Sequence, residues 1–155
     1  MKEKGIFMIG LLIAIFVFNL VSFKVNKLLN KKQVAHIWMF TVAFQVVVDQ
    51  YVDLKYQGYY YFSKSIDIAA VLPITVLVPP VNIVFLNWYP FDSSVKRKII
   101  YILLWVIFML LYEALALLPE PWGYFNYGWW EFWHSAIADP ILLYILLKYY
   151  QWFVK

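Results

Sequence analysis

The chain has 155 residues, of which 65% are hydrophobic, 22% aromatic and only 14% charged, and it carries a formal net charge of +4. Soluble domains are about half apolar and about a quarter charged, so this composition is that of a membrane protein. No cysteine is present, which excludes thiol nucleophiles, disulfides, cysteine-ligated zinc and iron–sulfur clusters.

Five apolar stretches follow one another, at about 6–23, 34–52, 66–88, 99–118 and 132–153. Each is near the ~20 residues that a helix needs to cross ~30 Å of hydrocarbon. Lipid cannot hydrogen-bond a bare backbone, so the spans are expected to be helices, and the alternating segments of a β-barrel are absent. The expected fold is all-α, a polytopic transmembrane bundle of about five spans forming one domain over residues 1–155. The first stretch has the basic start of a secretory signal but lacks a small-residue cleavage site, so it reads as a retained span.

In the second span Thr41, Gln45, Asp49 and Asp53 recur every four residues and form one polar stripe. It is either a hydrophilic path or, as is common in membranes, a hydrogen-bonding seam between helices. Ser65 and Asp67 suit the start of the third span as capping groups. That span carries Pro73 and the pair Pro79-Pro80 followed by Asn82, which predicts a bend or local unwinding. Broken helices often mark transporter binding sites, although membrane helices tolerate proline widely. In the fourth span Glu113 lies in mid-pattern, so its partner is a tyrosine hydroxyl, a tryptophan N–H, Lys55 or Lys64, unless it serves a site.

The entry to the fifth span, "PEPWGYFNYGWWEFWHSAIADP", holds four of the eight tryptophans. With "YQGYYYF" at 56–62 it reads chiefly as an aromatic belt at the membrane–water boundary. Glu131 and His134 share a helix face, but a di-metal bundle site needs two such pairs, and the other histidine, His36, lies near the opposite side. Glu131 equally suits the first turn of a helix. His134 and Ser135 are sequence neighbours and point to different faces, which disfavours a nucleophile pair. Asp139 precedes Pro140, whose ring frees the Ala136 carbonyl, so a carboxylate and a carbonyl together form a plausible cation ligand set. Nucleotide-loop, hydrolase-elbow and zincin motifs are absent. A single arginine argues against phosphate chemistry, and the basic flanks suit anionic lipid headgroups, with nucleic acid not expected as a partner.

With the N-terminus outside, nine basic residues (Lys24, Lys27, Lys31, Lys32, Lys96, Arg97, Lys98, Lys148 and Lys155) fall inside and four (Lys2, Lys4, Lys55 and Lys64) outside. The positive-inside rule therefore expects an outside N-terminus and a cytoplasmic C-terminus. Of nine acids only Asp92 is then inside. Asp49, Glu113 and Asp139 share a layer in the outer third of the bilayer, where uncompensated ionised groups are costly. The candidate polar or cation cluster is Asp49, Asp53, Glu113, His134 and Asp139. If it is a site, Asp49, Glu113 and Asp139 converge on one cavity, with His134 at the rim and Trp129, Trp130 and Trp133 partly covering it.

The five-span layout, the Asp49–Asp53 region before a tyrosine-rich connector, "NWYP" at 87–90, "YE" at 112–113 and the Trp-rich entry to a last helix bearing Ser135 resemble an uncharacterised family of small membrane proteins of spore-forming Gram-positive bacteria. The resemblance covers most of the chain. It implies a bacterial plasma membrane and brings no active-site residues with it. The first expectation for function is a non-enzymatic structural or partner-binding membrane component, with lipid as its surroundings, a possible homo-oligomer or second membrane protein as partner, and no cofactor. The alternatives are a cation- or proton-coupled transporter or channel with an outer acidic vestibule, and an intramembrane enzyme acting on lipid.

Overall fold

The computed structural model describes residues 8–64 and 68–155. Ser65 and Asp67, expected as caps, and the basic residues Lys2 and Lys4 lie outside the described residues. The described residues form five α-helices: α1 (Ile9–Val25), α2 (Lys31–Asp49), α3 (Val78–Trp88), α4 (Val95–Ala116) and α5 (Phe132–Tyr149). Helix α2 runs on as a wider π-helical segment over Gln50–Lys55, α5 does so over Tyr150–Val154, and α3 is preceded by a π-helical turn over Pro73–Leu77. Among the described residues three helical stretches, Lys31–Lys55, Ile68–Trp88 and Val95–Ala116, are long and apolar enough to cross a membrane. Helix α1 is apolar but has 17 residues, and α5, interrupted by Asp139 and Pro140, is not among the three.

Successive helices run in opposite directions. At one end, Asn87 at the foot of α3 accepts from the Lys27 and Leu28 N–H groups (2.8 and 2.9 Å), and Gln33 in the first turn of α2 donates to the Val154 carbonyl (3.0 Å). At the other end, the Gly10 N–H at the start of α1 reaches the Pro121 carbonyl beyond α4 (3.2 Å). The nine basic residues assigned to one side by charge sit around the first end, at the α1–α2 and α3–α4 turns and the C-terminal segment.

Helix α3 is the axis of the bundle, packing against α1 and α2, and the buried Ile83, Val84, Phe85 and Leu86 join Trp105 of α4 and Leu143 and Leu146 of α5 in the main apolar cluster. Its proline pair explains how it is held. In a regular helix the N–H groups of residues 79 and 80 would serve the carbonyls of Thr75 and Val76. Prolines have no N–H, and their rings press on those same carbonyls, which widens the preceding turn. The two freed oxygens are taken by neighbouring helices: Trp38 Nε1 of α2 donates to Thr75 O and Asn19 Nδ2 of α1 donates to Val76 O, both at 2.8 Å. The bend expected over "LPITVLVPPVN" thus lies just ahead of the proline pair.

The outward surface is apolar. Phe23 is 86% and Ile68 89% exposed, and α4 turns Leu103, Leu104, Ile107 and Leu111 outward. In water a continuous patch of this kind marks a surface awaiting cover.

The aromatic connectors depart from the expectation of a simple belt. "YYY" at Tyr59–Tyr61 (β1) and Phe125–Tyr127 (β2) pair antiparallel, with Tyr59 opposite Tyr127, Tyr60 opposite Asn126 and Tyr61 opposite Phe125. Tyr59, Tyr61 and Tyr124 are buried in a second apolar cluster with Leu11, Leu77 and Ala116. Close packing needs Gly128, where an added Cβ would meet the Gln57 carbonyl oxygen at 2.0 Å. This miniature sheet joins the α2–α3 connector to the α4–α5 connector and closes the end of the bundle opposite the α1–α2 and α3–α4 turns.

Loss of the Trp38 donor leaves a half-buried carbonyl unpaired, which for a buried group costs of order 1–3 kcal/mol and here falls at the low end, as membrane hydrogen bonds do. Trp38→Phe is therefore expected to lower stability by about 1 kcal/mol in detergent–denaturant unfolding. Pro79→Ala restores an N–H for Thr75 O, so Trp38→Phe is expected to cost less in that background. Equal cost in both backgrounds would rule out the proposed exchange of partners.

Candidate functional site

Two adjoining cavities lie beneath the sheet. The larger, about 370 Å³, is lined by Thr41 and Gln45 of α2, Asn82 of α3, Glu113 of α4 and Ser135 and Asp139 of α5. The smaller, about 180 Å³, lies on the α1 side with Phe18 and Tyr112 in its wall, and it shares Tyr61, Asn82, Glu113 and Asp139 with the first. They form one cleft whose acidic groups come from α4 and α5. In the polar stripe of α2, Thr41 Oγ1 accepts from Asn82 Nδ2 across helices (3.0 Å), as a seam between helices requires, and Thr41 and Gln45 line the larger cavity.

Glu113 receives two donors. The Tyr127 hydroxyl donates to Oε1, and Ser135 Oγ donates to the same oxygen at 2.8 Å. Ser135 in turn accepts from Trp130 Nε1 at 2.8 Å. The expected tyrosine partner is thus present, and Ser135 contributes as a donor to Glu113. Lys55 and Lys64 turn to aromatic rings instead, Lys55 lying 5.0 Å from the Tyr56 centroid and Lys64 5.7 Å from Tyr60.

Asp139, one helical turn beyond Ser135, is 8% exposed and opens on both cavities. Among the described residues it has no hydrogen-bond partner and no cation in ion-pair reach. The carbonyl expected to accompany it does not join it, because Ala136 is exposed and outside the lining of either cavity.

Asp49 is placed differently from the expectation that all three acids share one cavity. It is 5% exposed, and its Oδ1 accepts from Tyr59 Oη at 2.5 Å and Gln45 Nε2 at 2.9 Å, while Oδ2 is buried without a partner. Its two donors line the large cavity, and Asp49 itself opens with Asp53 on a separate pocket of about 240 Å³. Asp49 therefore stands one hydrogen bond behind the Glu113–Asp139 cleft.

Glu131 and His134 form the start of α5. His134 Nδ1 accepts from the Glu131 N–H and the His134 N–H returns to the Glu131 carbonyl, each at 2.9 Å. This reciprocal arrangement satisfies backbone groups that a helix start leaves bare. The imidazole stacks on Trp133 and Trp130, with centroids at 3.6 and 5.0 Å, and meets Trp129 edge-on at 5.3 Å. Trp130 lines the large cavity, whereas Trp129 and Trp133 are exposed above it. Among the described residues no group of three His, Asp or Glu side chains gathers at metal-binding spacing.

The buried phenols Tyr59, Tyr61 and Tyr124 are held neutral. Burial pushes Tyr59 and Tyr61 well above the usual range, and the Asp49 carboxylate adds to the effect; burial does the same for Tyr124. Tyr59 therefore acts towards Asp49 only as a donor. A raised pKa in the fold means that the contribution of these groups to stability is complete below the ordinary phenol value of 10.0 and is lost as pH climbs through the raised values.

Ultraviolet titration of tyrosinate in detergent is expected to show the exposed phenols ionising first, with a late group appearing only as helical circular dichroism is lost. Tyr59→Phe is expected to cost about 1.5–3 kcal/mol, as for a hydrogen bond to a charged group, and to shrink the late group. A single smooth titration with helicity intact would exclude the buried arrangement. No protein-family model, curated protein or solved structure gives a significant match to this chain, so its function must be read from the cleft itself.

Proposed function

We propose that this is a small integral plasma-membrane protein crossing the bilayer five times, with a cleft in its outer half that takes up a proton or small cation at Glu113 and Asp139 as part of cation- or proton-coupled transport. The observation that carries this reading is Asp139, a buried carboxylate open to the cleft that Glu113 also lines, with no neighbouring positive charge among the described residues. Two carboxylates in a poorly polarisable interior cannot both remain ionised and unpaired at low cost. A shared proton or a bound cation relieves that cost. The cleft lies at the end remote from the lysine-rich turns, which the positive-inside rule assigns to the exterior. The wide turn ahead of Pro79-Pro80 supplies irregular backbone beside the cleft, as in many carriers. On this reading the chain belongs with small bacterial membrane proteins of the kind its layout resembles.

A structural or partner-binding role is the second reading, favoured by Asp49 and Glu113 each accepting from a tyrosine of the sheet. Those bonds tie connectors to helices whether or not anything is carried.

The absence of cysteine makes topology directly testable. In intact cells Gln57→Cys is expected to react with an impermeant maleimide and Ser93→Cys only after permeabilisation; the reverse pattern would invert the orientation, and labelling of both from outside would refute the span count. In liposomes holding the full chain, proton or sodium flux is expected to fall at least tenfold in Asp139→Asn and Glu113→Gln. Flux equal to protein-free liposomes, or unchanged in both variants, would leave the structural reading in place.

A further inference from the structure

The walls of the cleft are informative about the class of cation. Resting on the cation reading above, we propose that the physiological occupant is an organic cation, an onium or ammonium centre carrying an apolar body, bound with its charge between Glu113 and Asp139.

Size gives the first argument. The larger cavity alone measures about 370 Å³, within the ~300–1,000 Å³ typical of small-molecule sites and far above the ~30 Å³ that one water occupies. A bare ion would leave most of that space to water against hydrocarbon.

Ligand supply gives the second. Hard divalent cations gather about six or more oxygens, whereas Glu113 Oε1 is already committed to Tyr127 and Ser135 and no third acid joins the pair among the described residues. Two carboxylates without further ligands suit a diffuse charge that needs neutralising more than it needs coordination. Asp139 is the anchor, because it is buried, unpartnered and open to both cavities.

Wall chemistry gives the third. Phe40, Phe44, Phe125 and Trp130 line the larger cavity, and Met109 lines both. Aromatic faces attract cations whose charge is spread over alkyl or aryl groups, and methionine adapts to irregular shapes. An organic cation therefore satisfies both halves of the cleft at once, its centre pairing with the acids and its body displacing water from the rings.

The test is calorimetric titration of the detergent-solubilised full chain with tetraphenylphosphonium, with neutral triphenylphosphine oxide and sodium as comparators. Tetraphenylphosphonium is expected to bind at least tenfold more tightly than the neutral compound. Asp139→Asn and Glu113→Gln, checked for wild-type helicity and elution, are each expected to weaken it at least tenfold. Met109→Trp, which fills the apolar end and leaves both acids in place, is expected to weaken it as well and stands independently if an acid variant fails to fold. Equal affinity for the neutral compound, or undiminished binding in Asp139→Asn, would show partition into an apolar cavity and overturn the proposal. Asp139-dependent sodium or proton flux without tetraphenylphosphonium binding would remove the organic class and keep the cation reading; absence of both flux and binding would remove both.

Discussion

The bundle depends on the rule that a backbone polar group away from water must find a partner. Pro79 and Pro80 remove two donors from the middle of the central helix segment, and the carbonyls left behind recruit Trp38 from α2 and Asn19 from α1. Apolar helices have little hydrophobic reason to associate inside lipid, so such directional bonds carry unusual weight in choosing which helices meet. Asn82 and Asn87 of α3 extend the pattern, reaching Thr41 on α2 and the α1–α2 turn. Helix α3 thus holds its neighbours through polar atoms placed at intervals along an otherwise apolar rod.

The same rule governs the acids, with a different outcome for each. Asp49 and Glu113 receive donors from the connectors, whereas Asp139 receives none. Carboxylates held by connector tyrosines brace the structure, even with Asp49 Oδ2 left without a partner, and Asp139, which accepts from no donor among the described residues, is the group in the cleft with most capacity left for a ligand. Ser135 and Asp139 lie one turn apart on α5, and Ser135 is the one whose hydroxyl reaches the Glu113 carboxylate.

Most of the helical architecture was legible from the residues, because long apolar runs allow little else. The observed α2 begins at Lys31 and α4 at Val95, a few residues before the expected apolar limits, since Asn30 and Ser94 cap them and a cap is polar by nature. The deep acids were also legible, as ionisable residues in apolar patterns. Their division into a cleft pair and an outlying Asp49 was not, because helix rotation, which spacing along one helix cannot supply, decides it. The sheet was hidden for another reason. Its strands have three residues each, and tyrosines that pair across strands are indistinguishable in composition from tyrosines that anchor at an interface. Glu131-x-x-His134 has the spacing of half a metal site, but the imidazole is bonded to the start of its own helix.

The donors of Glu113 come later in the chain than Glu113 itself, at Tyr127 and Ser135. For a chain that enters the bilayer in order of synthesis, this has a consequence for assembly. Until the connector after α4 and the start of α5 have been made, the Glu113 carboxylate lacks both of these donors, and an intermediate that already holds α4 in apolar surroundings is penalised. Helix α5, which carries Asp139 and Pro140, is not among the three stretches long and apolar enough to cross a membrane by themselves. Each therefore supplies what the other lacks: the serine and the following connector quench the waiting acid, and that acid gives the last helix a reason to stay. Completion of the bundle is in this sense driven by a charge buried early, with the final helix acting as the solvent that lipid could not provide.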